Sequence, residues 1–236
     1  MTTPGNVLFF ADSAYPANMP HDLNGAKGLC FYAGGDTPHV WTRDEIFSFP
    51  AEYLLPIWVR SNPQQVDPVH DANQFVNVLK NYYAVPQGCI VALDSETSID
   101  AAWVKTFVTI LNQNSFPVID YGSSSSIFSN NNPDGYYWVA DPTGSVHIYP
   151  RSQMTQYLWA RNFDESEALA TLPFLHIRKD TPMYIVLPGI PGKWLTYQFN
   201  VDARGTEYVT GLGTTGRMYV TSKPLGGKWT PPAVMA

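Results

Sequence analysis

Short apolar runs alternate with polar or helix-patterned stretches along the first 170 or so residues. The runs fall at 7–11, 29–33, 53–59, 89–93, 117–121, 136–140, 146–149 and 155–159. Most are continuously apolar rather than alternating, as strands covered on both faces of a parallel sheet should be. Strand, connection, strand, repeated over eight runs, predicts an α/β fold of TIM-like (β/α)8 type. Two connections carry clear helix signals. Asp67-Pro68 puts a capping carboxylate before a proline at the first helical position, and Phe75, Leu79 and Tyr82 recur at helical spacing until Pro86. Ser98 precedes a stripe made of Trp103, Val104, Phe107, Val108 and Leu111. A third, shorter helix starts at Thr42, where Glu45 completes a capping box. Residues 123–126 and 130–132 read as a polar loop, so the late helices of the barrel are expected to be abbreviated.

The pattern changes near Leu172. Strand-like runs at 183–187, 195–201, 207–211 and 218–222 are separated by Pro-Gly, Gly-Lys and Gly-Gly pairs, which predicts a small antiparallel β module. Trp229-Thr-Pro-Pro reads as a poorly ordered tail. The expected organisation is a barrel over 1–171 and a β-rich module with its tail over 172–236.

Composition narrows the classes. A chain of 236 residues buries enough surface for a sizeable core without staples. Only 14% of residues are charged, while 17 glycines and 20 prolines accompany 14% aromatics, which suits many tight turns in a folded chain rather than disorder. The net charge of −6 argues against nucleic acid, whose phosphates require clustered Lys and Arg. No apolar run approaches the ~20 residues of a bilayer span, so no membrane partner is expected. Residues 1–6 hold no basic cluster ahead of an apolar stretch, so no signal peptide is expected either. Cys30 and Cys89 lie in apolar runs and read as buried free thiols. The five histidines are scattered singly, and neither metal-ligand spacing nor a cofactor fingerprint occurs.

The candidate chemistry sits at strand ends. The fourth run finishes in Leu93-Asp94-Ser-Glu96, and residues two apart on a strand face the same side, roughly 6.5–7 Å apart. In a parallel barrel the C-terminal strand ends form the active-site mouth. Two carboxylates in one apolar cup differ in proton affinity, so one serves as acid while the other stays ionised, the arrangement that glycoside hydrolysis uses. Other runs end alike: Asp12 follows the first, Asp120 and Tyr121 close the fifth, Asp141 follows the sixth, and Asp164 lies shortly after the last. Tyr32, Trp58, Tyr121, Trp138 and Trp159 are candidate faces for sugar rings.

Together, Asp12, Leu93-Asp94-Ser-Glu96, Tyr121-Gly-Ser, Tyr137-Trp138-Val-Ala and Thr155-Gln156-Tyr157 before Asp164 resemble the lysozyme-type barrels of glycoside hydrolase family 25, over roughly residues 5–170. Phe31-Tyr32-Ala-Gly-Gly, Thr42-Arg-Asp-Glu45-Ile and Leu55-Pro56-Ile-Trp58-Val are similar, more closely, to glycoside-hydrolase-like barrels of actinobacterial and phage proteins. The resemblance implies a muramidase acting on the β-1,4 bonds of peptidoglycan without a cofactor. It implies Glu96 as general acid, Asp94 as the group that orients or stabilises the substrate, and Asp12 and Asp164 as the rest of an acidic floor. It leaves the nucleophile open between a protein carboxylate and the substrate's own acetamido oxygen. Tyr32, Trp58, Asp120, Tyr121, Trp138 and Asp141 are the expected substrate contacts. The alternative is a non-catalytic phage tail protein that keeps the barrel for wall binding or assembly, with other virion proteins or self-association through the C-terminal module. Such a protein resides in the virion, or in the cytoplasm until release, and reaches the wall without secretion.

Overall fold

The computed structural model describes residues 7–61, 66–95, 100–160, 162–177, 194–201, 207–213, 218–223, 230 and 233–234. Eight strands close into a barrel: β1 (Val7–Asp12), β2 (Gly28–Gly35), β3 (Tyr53–Val59), β4 (Val91–Asp94), β5 (Val118–Gly122), β6 (Tyr136–Ala140), β7 (Met154–Trp159) and β8 (Asp164–Leu169). Each strand pairs with the next in sequence, and β8 returns to β1. β1 to β7 are mutually parallel, whereas β8 is antiparallel to both of its neighbours. The α/β barrel expected from the apolar runs is thus present, with its eighth strand corrected. Residues 146–149 are not a strand, and the eighth strand is 164–169 instead. The reversal follows from chain length: four residues separate β7 from β8, and a parallel return needs a crossover of a dozen or more.

Helices cover part of the barrel's outside. α1 (Arg43–Phe47) starts at the expected capping box, with the Thr42 hydroxyl accepting from the Glu45 N–H and the Glu45 carboxylate accepting from the Thr42 N–H. α2 (Pro68–Asn77) is capped by Asp67, whose carboxylate accepts from Val69 N. It continues as a π-helical turn over Val78–Tyr82. The wider turn moves the buried position along by one, so Tyr83 is buried and the expected Tyr82 is exposed. α3 (Ala101–Gln113) buries the whole predicted stripe, but its cap is Asp100, which accepts from Ala102 N. Ser98 lies outside the described residues. The polar stretch expected as a loop forms α4 (Ser124–Asn130), because Ser123 caps it by accepting from Ser126 N, and Ile127 is fully buried. Between β6 and β7 no helix forms, and Tyr149 lies against Phe128 in that layer, ring centroids 6.3 Å apart.

Alternation along the strands divides the core in two. Phe10, Cys30, Leu55, Ile57, Ala92, Ile119, Trp138, Met154 and Ala168 fill the interior. Their neighbours Ala11, Leu29, Phe31, Leu54, Trp58, Val91, Leu93 and Val118 face outward and pack with α2 and α3. Leu172 and Phe174 belong to the interior set, Phe174 lying 4.5 Å from Phe10 ring to ring, and β9 (Leu175–His176) bonds to the first residues of β3. The chain forms two compact units, Met1–Ile177 and Arg178–Ala236.

The second unit carries a four-stranded antiparallel sheet in the order β10 (Trp194–Val201), β11 (Glu207–Gly213), β12 (Met218–Lys223) and β13 (Ala233–Val234). The expected strand at 183–187 lies outside the described residues. The tail contributes an edge strand, since Ala233 and Val234 pair with Val220 and Tyr219. Among the described residues no helix is long and apolar enough to cross a membrane.

Candidate active site

The inward face of each strand ends at one mouth. On β1 the series Leu8, Phe10, Asp12 carries the chain from interior to rim. On β4 Ala92 leads to Asp94, on β5 Ile119 leads to Tyr121, and on β7 Met154 leads to Gln156. β8 runs the other way, so its first residue, Asp164, stands at this mouth while Ser166 and Ala168 lead down into the core. Asp164 pairs in register with Asp12 on one side and with Trp159 on the other. In such an antiparallel pair the facing Cα atoms are about 4.5–5.5 Å apart and the side chains share a face.

These residues enclose a cavity of about 340 Å³ lined by Asp12, Asp94 and Asp164, with Tyr32, Tyr121, Trp138 and Trp159 as its aromatic walls and Ile57 and Gln156 between them. Asp12 and Asp94 are buried to within 6% and 7% of full enclosure, whereas Trp159 stands 60% exposed at the rim. Tyr121 donates its phenol to Gln156 Oε1 and packs on Trp138 with ring centroids 4.5 Å apart. Trp138 Nε1 donates to Ser166 Oγ at 3.1 Å, which fixes the indole from below. The β1 loop is tied to the β7–β8 hairpin by Ser13 Oγ donating to Asn162 O at 2.9 Å. Cys30 pairs in register with Asp12, and burial first, then the Asp12 charge, pushes its thiol well above the ordinary range, so it stays a protonated core thiol.

Of the residues expected from the sequence, Asp12, Tyr32, Asp94, Tyr121, Trp138 and Asp164 meet in this cavity. Glu96 lies outside the described residues. Three others are elsewhere. Trp58 is one residue past Ile57 and so faces outward, where its Nε1 donates to Asp71 Oδ2 at 3.3 Å and its ring packs on Phe75. Asp120 is one residue before Tyr121 and is fully buried behind β5. Asp141 follows β6 and accepts from His147 Nε2 at 2.9 Å, and it does not line the cavity. The cavity residues missing from the expected contacts are Ile57 and Gln156. Strict period-two counting inward from Leu55 and Met154 finds both. Trp159, an expected aromatic face, joins them.

An ion-paired group braces the mouth from outside. Arg60, 5% exposed, donates Nε to Asp71 Oδ2 at 2.7 Å and Nη1 to Asp36 Oδ1 at 2.6 Å, while its backbone N–H donates to Asp94 O at 3.0 Å. This couples the ends of β2, β3 and β4 to α2. Among the described residues no group of three or more His, Cys, Asp or Glu side chains is placed to hold a metal ion.

No family model matches the chain, and no curated protein matches it. Among solved structures it is similar to an uncharacterized B. stearothermophilus protein, with a TM-score of 0.56, 18% identity, and coverage of 70% of this chain and 97% of that one. The modular Cpl-1 endolysin complexed with a peptidoglycan analogue aligns over 94% of this chain and 81% of that one, at 11% identity and a TM-score of 0.49. At these identities the first match speaks for the barrel fold alone.

Proposed function

We propose that this chain is a glycosidase directed at bacterial cell-wall peptidoglycan, hydrolysing β-1,4 glycosidic bonds at the barrel mouth. The observation that carries the reading is that Asp12, Asp94 and Asp164, from three different strands, line one aromatic-walled cavity at the end of a closed barrel. A sugar ring stacks on flat aromatic faces, and the flanking carboxylates supply the charge that a developing oxocarbenium ion requires. Glu96, two residues beyond Asp94 in sequence, is the general acid in this reading and protonates the leaving oxygen. Asp94 orients the substrate and stabilises the transition state, with Asp12 and Asp164 completing the acidic floor. The chemistry needs no cofactor.

The test is release of reducing sugar from purified peptidoglycan by the wild-type protein and by Glu96→Gln, each shown to be folded by circular dichroism. Release by the wild type that falls at least 10²-fold in Glu96→Gln is expected. No release from several wall types by the folded wild type would sink the glycosidase reading and favour a barrel that only binds the wall, as a tail component of a virion would. Pull-down on insoluble peptidoglycan then measures that second activity.

A further inference from the structure

Behind the mouth, a buried polar cluster holds the end of β4 from the side opposite the cavity. Asp120, with no accessible surface, lies on the outward face of β5. Its Oδ1 accepts from Ser95 Oγ at 2.6 Å, and its Oδ2 accepts from Asn130 Nδ2 at 2.9 Å. The Ser95 hydroxyl also lies 3.1 Å from Tyr121 O, and the Ser95 N–H donates to that same carbonyl at 2.9 Å. Ser95 is therefore tied through both its backbone and its side chain to β5. It is also the residue that stands between Asp94, in the cavity, and Glu96.

A carboxyl group in this place is costly. Burying one without a countercharge forfeits its hydration, and an apolar side chain of similar volume would pack behind β5 at lower cost. What the carboxyl supplies and an apolar group does not is a pair of hydrogen-bonding oxygens in fixed directions, one toward β4 and one toward α4. Gly122 leaves the room for this approach, because a Cβ there would meet Ser95 O at 3.3 Å and Ile127 at 3.1 Å.

We propose that Asp120 is a positioning residue, which acts through Ser95 to fix the end of β4 so that Asp94 faces the cavity. The activity arm of this proposal rests on the glycosidase reading; the structural arm does not. Asn at position 120 still offers one acceptor and one donor, so Asp120→Asn preserves the link to Ser95, whereas Asp120→Leu removes it. Ser95→Ala removes the same link from the other end.

The experiment measures kcat and KM on soluble peptidoglycan fragments for the full chain and for Asp120→Asn, Asp120→Leu, Ser95→Ala and the Ser95→Ala/Asp120→Leu double variant. Hydrogen exchange of the Ser95 amide is followed by NMR in each. The expected result is a kcat at least 10-fold lower in Asp120→Leu and in Ser95→Ala, with KM within twofold of wild type. Asp120→Asn should stay within about threefold, and the double variant should be no worse than the poorer single one. Ser95 amide exchange should rise at least 10-fold in the Leu and Ala variants and stay unchanged in Asp120→Asn. A folded Asp120→Leu with wild-type kcat and wild-type Ser95 exchange would overturn the proposal, as would losses that multiply in the double variant. If the wild type releases no sugar, the glycosidase reading fails on its own, and the amide exchange still decides whether Asp120 holds Ser95.

Discussion

Asp120 shows how burial turns one carboxyl into a stability variable. Burial raises it to about 7 from an ordinary value of 3.8, against the opposing hydrogen bonds from Ser95 and Asn130. The native chain therefore keeps a proton where the unfolded chain has lost it. Stability from this group is complete below its unfolded value and is lost as the pH rises through about 7. Asp120→Asn removes the ionisation, so the fall in Tm of wild type between pH 4 and pH 8 should be smaller in the variant. Equal falls in the two proteins, measured by thermal denaturation at several pH values, would contradict this. His147 contributes in the same direction. Its proton is held chiefly by the Ser145 carbonyl and then by Asp141, so its contribution is also lost as pH rises through its raised value. Because His147 is part-exposed, that contribution is screened.

At the scale of elements, the barrel's outer layer is organised by an aromatic chain that runs from β3 through α2 to α3. Trp58 packs on Phe75 at 5.2 Å, Phe75 on Phe107 at 6.3 Å, and Phe107 on Trp103 at 5.3 Å. Phe75 is fully buried at the centre of this chain. Phe75→Ala should cost about 3–5 kcal/mol in denaturant unfolding, because the cavity it leaves is bounded by two helices and a strand that cannot all collapse into it. A loss under 1 kcal/mol would show that α2 is not held through this contact. The aromatic signal at Trp58 is thus an adhesive between layers, and the cavity-facing aromatics Tyr32, Tyr121 and Trp138 have the opposite strand parity.

For the whole molecule, the extent of the barrel matters more than its strand count. Leu172 and Phe174, 6% and 7% exposed, close the barrel at the end opposite the mouth, with Ile90 N donating to Pro173 O at 2.8 Å, while Leu175, 8% exposed, packs into the outer layer beside Leu54. A chain shortened to end at Ile177 should unfold in one cooperative transition. One shortened to end at residue 171 should lose about 5–9 kcal/mol more, at roughly 1.5–3 kcal/mol for each of the three large apolar side chains removed from the core. Since domains are stable by only ~5–15 kcal/mol, that loss should be visible as a large drop in Tm or a failure to fold. Equal stability of the two shortened chains would show that this segment is an ornament of the barrel.

The apolar runs alone were enough to announce seven of the eight barrel strands, because a strand buried on both faces must be apolar throughout. Capping chemistry at Thr42 and Asp67 was equally legible, since a cap is a local bargain between one side chain and the next few N–H groups. The acids Asp12, Asp94 and Asp164 could be picked out as strand-end residues. Which neighbours share their space could not: continuous apolar runs hide the parity that sends Ile57 and Tyr121 inward and Trp58 and Asp120 outward. The eighth strand escaped for the opposite reason. Asp-Glu-Ser-Glu-Ala-Leu at 164–169 is too polar to read as a barrel strand, because Glu165 and Glu167 point to its outer face, and only the closed barrel gives their polarity a side. Local chemistry thus lies in the sequence, while facing, closure and the meeting of distant acids belong to the tertiary structure, which alone brings β1 and β8 edge to edge.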